Sequence, residues 1–409
     1  MKYRKISIEQ LQVGMFIHEM DLPWLQNPFL RQRVLINTQS DIDKLRTAGA
    51  KALTIDLSQG CDISVDEPQE TEVSVTPAPA AREQKTTPVA PQPQDKTKLL
   101  EANQRAANAL KEQAVQLIND ISHKIERGEG VSQQQLDHLV DNLVDNLKTN
   151  NQAILALLAQ SQNHQVLATH LYNVMILCLS LGLYLKLDDE TTALLGQAAL
   201  LHDIGWTKLP AYLFQKGREF SVAEQQLARQ HVGISYNLIK AMSDIRPEIV
   251  TLLASYFKLV NNTPSTSSDT RTRLANILFL TDHYEEMVHG LKGQKAHLPA
   301  KAMKLLFQKV HERKSDERVM SSLVRLLGVY PLGSAVKLKS GQKGLIVRVQ
   351  PDSPLKPEVL IIYDAQGNLV TPPMVIELDP AQGNDVDTFL DPDNSTDDPL
   401  KKLSMSSQD

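Results

Sequence analysis

With 409 residues the chain exceeds what one hydrophobic core organises, so two or three folded units are expected. Lysine and arginine number 43 against 48 acidic residues, and the formal charge of −5 gives no reason to expect DNA or RNA binding. Two cysteines, Cys61 and Cys178, exclude a disulfide framework and fit a reduced, cytoplasmic protein.

The opening Met-Lys-Tyr-Arg-Lys is basic, but the alternating Ile6-Ser-Ile-Glu after it is no secretory apolar core. Val174–Leu185, the most apolar stretch, falls short of a bilayer, so a soluble chain without a membrane span is expected. Residues 1–58 read as a small α+β module. Ile6-Ser-Ile-Glu alternates like a strand, Gly14 turns the chain, and Trp24 and Pro28-Phe29 offer bulky core residues. Arg33-Val-Leu-Ile-Asn reads as a second strand. Ser40 reads as the cap of a short helix through Leu45, Gly49 ends it, and Ala52-Leu-Thr-Ile-Asp returns as a strand. No catalytic constellation is visible here, which leaves a regulatory or interaction role.

Pro68, Pro77, Pro79, Pro88, Pro91 and Pro93 mark 62–97 as a flexible linker, with a Pro-rich recognition segment as the alternative. Residues 98–150 read as a pair of amphipathic helices. In the second, capped by Ser132, Leu136, Leu139, Val140, Leu143, Val144 and Leu147 recur at helical spacing. Such a stripe either packs on the domain that follows or pairs two copies as a homodimer.

Residues 151–330 carry mostly helical patterns. One helix bears His170, and the next, Ala198-Ala-Leu-Leu, delivers His202-Asp203 before Gly205 and Pro210 stop it. Ser221 with Glu224 forms a capping box for a helix that carries His231 and Gly233; Pro247 opens another helix, and an apolar run from Leu274 ends at Asp282. An imidazole beside a carboxylate in an apolar segment is costly to bury without a shared partner. A divalent metal is the usual partner; a His–Asp hydrogen bond that closes a turn is the alternative. Asp282 poses the same question. Residues 331–378 read as a small β unit of short strands, and 379–409, rich in Asp, Ser and Pro, as a disordered tail. The expected fold class is therefore multidomain and mainly α: an all-α helical domain, preceded by an α+β module and followed by a β unit.

His170, then His202-Asp203, then a distant Asp282 resembles the ligand order of the HD phosphohydrolase superfamily. The surrounding residues are similar to an HD-GYP domain: His170-Leu-Tyr-Asn-Val, Ala199-Leu-Leu-His-Asp-Ile-Gly, Leu209-Pro210, Lys216-Gly217, Glu224, His231 with Gly233, Arg273, Thr281-Asp282 and Leu327-Gly-Val-Tyr-Pro-Leu-Gly333. Leu11, Gly14-Met15, Trp24, Pro28-Phe29 and Ile55-Asp56 resemble the small domain that often precedes HD-GYP domains. The resemblance implies a bacterial cyclic di-GMP phosphodiesterase, in which clustered metals, usually iron or manganese, activate water to cut a phosphodiester. Carried over by position, His170, His202, Asp203, His231 and Asp282 would be ligands of one or two divalent ions, with Asp203 also catalytic. Cyclic di-GMP or a related nucleotide is the implied ligand, and signalling proteins are the implied partners.

Three departures stand out. The family lysine after His-Asp-Ile-Gly is Trp206; Lys208, two residues on, is the catalytic candidate to replace it, although that shift redirects a side chain. The family His-His-Glu reads Tyr256-Phe257-Lys258, and tyrosine and phenylalanine cannot replace two imidazoles. The Gly-Tyr-Pro loop reads Val260-Asn-Asn-Thr-Pro-Ser. Weak turnover is expected, with an inactive sensor or scaffold as the alternative. A scaffold, however, gains little by keeping two buried carboxylates.

Overall fold

The computed structural model describes residues 3–21, 34–57, 61, 93–159, 166–214, 219–261, 269–313, 317–350 and 353–390. Trp24, Pro28-Phe29, most of the Pro-rich segment, Lys216-Gly217 and the chain beyond 390 lie outside the described residues. The chain divides into two units, Met1–Asp95 and Lys96–Asp409.

In the first unit, β1 (Tyr3–Ser7), β2 (Phe16–Met20), β3 (Val34–Leu35) and β4 (Ala52–Asp56) form an antiparallel sheet in the order β1-β4-β2-β3. Helix α1 (Gln39–Thr47) buries Ile42 and Leu45 in a core with Met15, Ile17, Ile36, Leu53 and Ile55. The helix is capped by Thr38 rather than Ser40. The Asp41 carboxylate reaches back to accept from the Thr38 backbone N–H, an arrangement Ser40 stands too far inside the helix to make. Strand β2 had no counterpart in the sequence reading.

Two long helices follow, α2 (Pro93–Glu126), nearly all of it in the second unit, and α3 (Gln133–Ala156). Helix α2 starts within the stretch expected to be linker, because Pro93 suits a first helical turn that needs no N–H from it. The apolar stripe of α3 is buried against α4 (Val166–Tyr184) and α5 (Asp189–Leu201), so packing on the following helices accounts for it. Helix α4 is the centre of the unit. It has almost no polar face, is buried from Ala168 to Gly182, and packs against α3, α5, α9 (Thr270–His289) and α11 (Glu317–Leu327). By length and composition alone it is long and apolar enough to cross a membrane, with a mean hydropathy of 1.8 over its most apolar 18 residues, yet most of it is covered by its neighbours. A polar clamp fixes α5: Asp137 accepts from Gln133, Gln197 and Arg246, joining α3, α5 and the residue before α8 (Pro247–Val260).

Cys178 on α4 lies 3.1 Å from the Thr281 hydroxyl, and burial pushes its thiol up to about 12. Cys61 is exposed. Iodoacetamide at pH 8 is therefore expected to alkylate one cysteine in the native protein and two after denaturation, read by intact mass. Equal rates for both would contradict the burial of α4.

The chain closes with an antiparallel sheet ordered β8-β7-β6-β5-β9, from β5 (Ala335–Leu338), β6 (Lys343–Arg348), β7 (Glu358–Tyr363), β8 (Leu369–Glu377) and β9 (Val386–Phe389). The expected limit of ordered chain near 379 is thus one strand too early. Val386-Asp-Thr-Phe pairs with β5 from the sheet edge, where its exposed Asp and Thr conceal the alternation. The sheet is pinned to α3 by Gln152, whose amide accepts from the Val349 N–H and donates to its carbonyl. As expected from the sequence, the fold is mainly α, with a small α+β module before the helices and a small sheet after them.

Candidate metal centre

Adjacent residues on a helix point about 100° apart, so His202 and Asp203 could not converge if the helix continued. Helix α5 ends between them. His202 still has helical backbone, whereas Asp203 (φ −114°, ψ 11°) enters a tight turn over Ile204–Lys208. Asp188 caps the other end of α5 by accepting from the Thr191 N–H at 2.7 Å. His170 comes from the first turns of α4, and Asp282 from the middle of α9.

One ligand atom from each of His170, His202, Asp203 and Asp282 lies within 4.8 Å of the others, and all four residues are buried. His170 Nε2 is 3.3 Å from Asp203 Oδ2 and 3.4 Å from Asp282 Oδ1. His202 Nε2 is 3.6 and 3.3 Å from the same two oxygens. His231, on α7 (Gln230–Lys240), places Nε2 3.3 Å from Asp203 Oδ1. The opposite nitrogen of each ring is engaged. His202 Nδ1 donates to the Ala199 carbonyl at 2.7 Å, His231 Nδ1 to the Ala228 carbonyl at 2.5 Å, and His170 Nδ1 pairs with Glu285. A proton held at Nδ1 leaves Nε2 as the lone pair, the tautomer a metal ligand requires. Among the described residues, His170 Nε2, His202 Nε2 and Asp203 Oδ1 make no hydrogen bond of ordinary geometry, whereas Asp203 Oδ2 is met by the Lys292 ammonium at 2.5 Å. Two imidazoles and two buried carboxylates turned to one point, with both imidazole Nε2 atoms unpaired, fit a first-row divalent ion.

Glu285 was not singled out from the sequence, although it lies one turn after Asp282. Its carboxylate holds His170 and also accepts from Asn173 Nδ2 at 3.1 Å, with His289 Nδ1 3.0 Å away. Burial raises the Glu285 carboxyl, but His170 and His289 outweigh that and bring it below its ordinary range. Burial likewise opposes ionisation of Asp203 and Asp282. Lys292 and His202, joined by His231 at Asp203 and by His170 at both, hold each carboxyl well below the ordinary range.

Lys208 does not join the cluster. Its ammonium donates at 2.5 Å to the backbone carbonyl of Glu126 at the end of α2. Trp206 stacks on His231, with ring centroids 4.5 Å apart and planes 21° apart, inside an apolar cluster with Leu213, Phe214, Ala228 and Leu291. Tyr256 does face the site, donating from its hydroxyl to Asp282 Oδ2 at 2.6 Å. Burial and the neighbouring Asp282 lift that phenol well above its ordinary value, so it remains a donor. Phe257 packs edge-on to Tyr236, and Lys258 is exposed.

Comparison with known proteins places this centre in context. Residues 3–136 match the family described as "Domain of unknown function (DUF3391)", and residues 335–392 match "KOW domain associated with HD domain". The second match runs through β9, in agreement with the sheet. The chain is 25% identical over 379 residues to "Cyclic di-GMP phosphodiesterase PA4108" of Pseudomonas aeruginosa, covering 92% of this chain and 89% of that protein. It is 24% identical over 201 residues to "Cyclic di-GMP phosphodiesterase PdeB" of Borreliella burgdorferi, covering 49% of this chain and 52% of that one. Among solved structures, Bd1817, a HDG"Y"P protein from Bdellovibrio bacteriovorus, covers 79% of this chain and 98% of its own at 14% identity, with a TM-score of 0.44. Similarity to one cyclic di-GMP phosphodiesterase runs the length of both units, and a domain associated with HD domains closes the chain; together these likenesses support an HD-GYP assignment.

Proposed function

We propose that the chain is a metal-dependent phosphohydrolase of cyclic-nucleotide signalling, acting slowly on cyclic di-GMP or a related nucleotide in the cytoplasm. The observation that carries this reading is the common orientation of three imidazoles, each fixed through Nδ1 and turned through Nε2 toward two buried carboxylates. His170, His202, Asp203 and Asp282 would hold one divalent ion, iron or manganese by the resemblance, and His231 beside Asp203 would be available to a second. Such an ion supplies charge neutralisation at phosphodiester oxygens and acidifies water. Glu285 and the Ala199 and Ala228 carbonyls hold the imidazoles in position, and the apolar wall of Trp206, Phe214 and Leu291 keeps bulk water from that side.

Slow turnover follows from what occupies the divergent positions. Trp206 brings an indole where the family has a phosphate-contacting cation, and Tyr256 replaces an imidazole with a hydroxyl already committed to Asp282. Electrostatic groups at such sites are typically worth about 10²–10³-fold each. The same hydroxyl favours a second reading, an inactive sensor or scaffold acting through nucleotide or protein binding.

The test is cyclic di-GMP hydrolysis under manganese, followed by product chromatography. Wild type is expected to turn over slowly, Asp203→Ala not at all, and the combined Trp206→Lys, Tyr256→His, Phe257→His, Lys258→Glu variant faster than wild type. Binding of cyclic di-GMP without hydrolysis by any of the three would favour the sensor.

A further inference from the structure

One cation already lies inside the cluster. After α9 the backbone is left-handed at Gly290 (φ 63°), Lys292 (φ 53°) and Gly293 (φ 78°). Glycine adopts that region freely, but a lysine is strained there and needs surroundings that hold it. Leu291, 1% exposed, supplies the anchor by packing in the cluster that contains Trp206. The Lys292 side chain is 9% exposed, and its ammonium lies 2.5 Å from Asp203 Oδ2, 3.0 Å from Asp282 Oδ1 and 2.5 Å from Glu286 Oε1. Glu286 is itself fixed by the Gln294 amide at 2.9 Å.

The choice of oxygens is the informative part. Asp203 Oδ2 and Asp282 Oδ1 are the same two atoms that face Nε2 of both His170 and His202. We propose that Lys292 is an internal counter-ion of the metal site: its ammonium and a divalent ion use the same carboxylate oxygens, so loading the metal requires Lys292 to withdraw. This rests on the metal reading given above. Three buried carboxylates beside each other are costly without a cation, and Lys292 supplies one permanently. A divalent ion entering beside the ammonium would meet like charge at close range, in surroundings that screen little. Lys292 therefore stabilises the metal-free protein and lowers its metal affinity.

Manganese itself is the probe, titrated into the metal-stripped full-length chain with free ion read by electron paramagnetic resonance. Lys292→Met keeps the length and removes the charge, and is expected to bind manganese about tenfold or more tightly than wild type. Without metal this variant is expected to melt below wild type, and manganese should raise its melting temperature by more. In wild type, acetylation of Lys292 by an N-hydroxysuccinimide ester, read by peptide mass, is expected to rise when manganese binds. Affinity in Lys292→Met equal to or weaker than in wild type would overturn the counter-ion while leaving the metal centre standing. No manganese binding by either protein would overturn both. If Lys292→Met does not fold, the footprint decides: equal acetylation of wild-type Lys292 with and without bound manganese would overturn the proposal.

Discussion

Asp203→Ala is expected to remove measurable manganese binding from the full-length chain. Both oxygens of this carboxylate face the cluster: Oδ2 meets His170, His202 and Lys292, and Oδ1 meets His231. Altering groups that merely orient metal ligands costs about 10–100-fold in affinity. Removing the carboxylate at the centre should cost at least the upper end of that range. Lys208→Ala is the matched control and should bind as wild type does, because its ammonium is spent on the Glu126 carbonyl. Isothermal titration of the three proteins reads the difference directly. Wild-type affinity in Asp203→Ala would place any ion elsewhere.

Gly205→Ala is expected to cost about 3 kcal/mol of stability, the upper range for forcing extra atoms into a packed site. A Cβ at position 205 would lie 2.3 Å from the His231 carbonyl oxygen, 2.6 Å from the Ser235 nitrogen and 2.7 Å from its Oγ. Two of those atoms are backbone of α7 and cannot turn aside. The Gly205 N–H also donates to Ser235 Oγ at 2.8 Å, so the turn after Asp203 rests directly on the helix that carries His231. Gly233→Ala, on the same helix with nothing within 4 Å of its Cβ, should be neutral or stabilising by up to about 1 kcal/mol. Urea unfolding followed by helical circular dichroism separates the two. An unchanged midpoint for Gly205→Ala would mean that the turn and α7 are not in the contact described.

Much of this architecture could be read from local pattern. The spacing of apolar residues predicted α3, and Pro247 marked the first turn of α8; Ser221 with Glu224 predicted the start of α6 (Val222–Ala228), but that helix breaks at Arg229 and leaves His231 and Gly233 on α7. The ligand order His, His-Asp, Asp was equally legible, and the structure brings these residues to one point. Contacts made across the fold were not legible. Lys292 lies in a loop of ordinary composition and gains its meaning only when α9 ends and turns it back toward Asp203. Lys208 was the natural replacement for the missing family lysine by proximity in sequence, but the tight turn over Ile204–Lys208 sends it outward. Trp206 registered as a loss, whereas its indole became the surface on which His231 stacks. Strands β2 and β9 escaped notice because short edge or irregular strands carry too few alternations to stand out.

The apolar character of α4 has a consequence for how the chain is made. Helix α4 leaves the ribosome before α9, which is completed about a hundred residues later. At synthesis rates of about 5–20 residues per second, that interval is on the order of ten seconds. During it, a 19-residue segment hydrophobic enough to enter a bilayer has only α3 and then α5 to shelter it. Until α9 arrives, the helix that carries His170 into the finished site keeps apolar surface that only the complete chain covers.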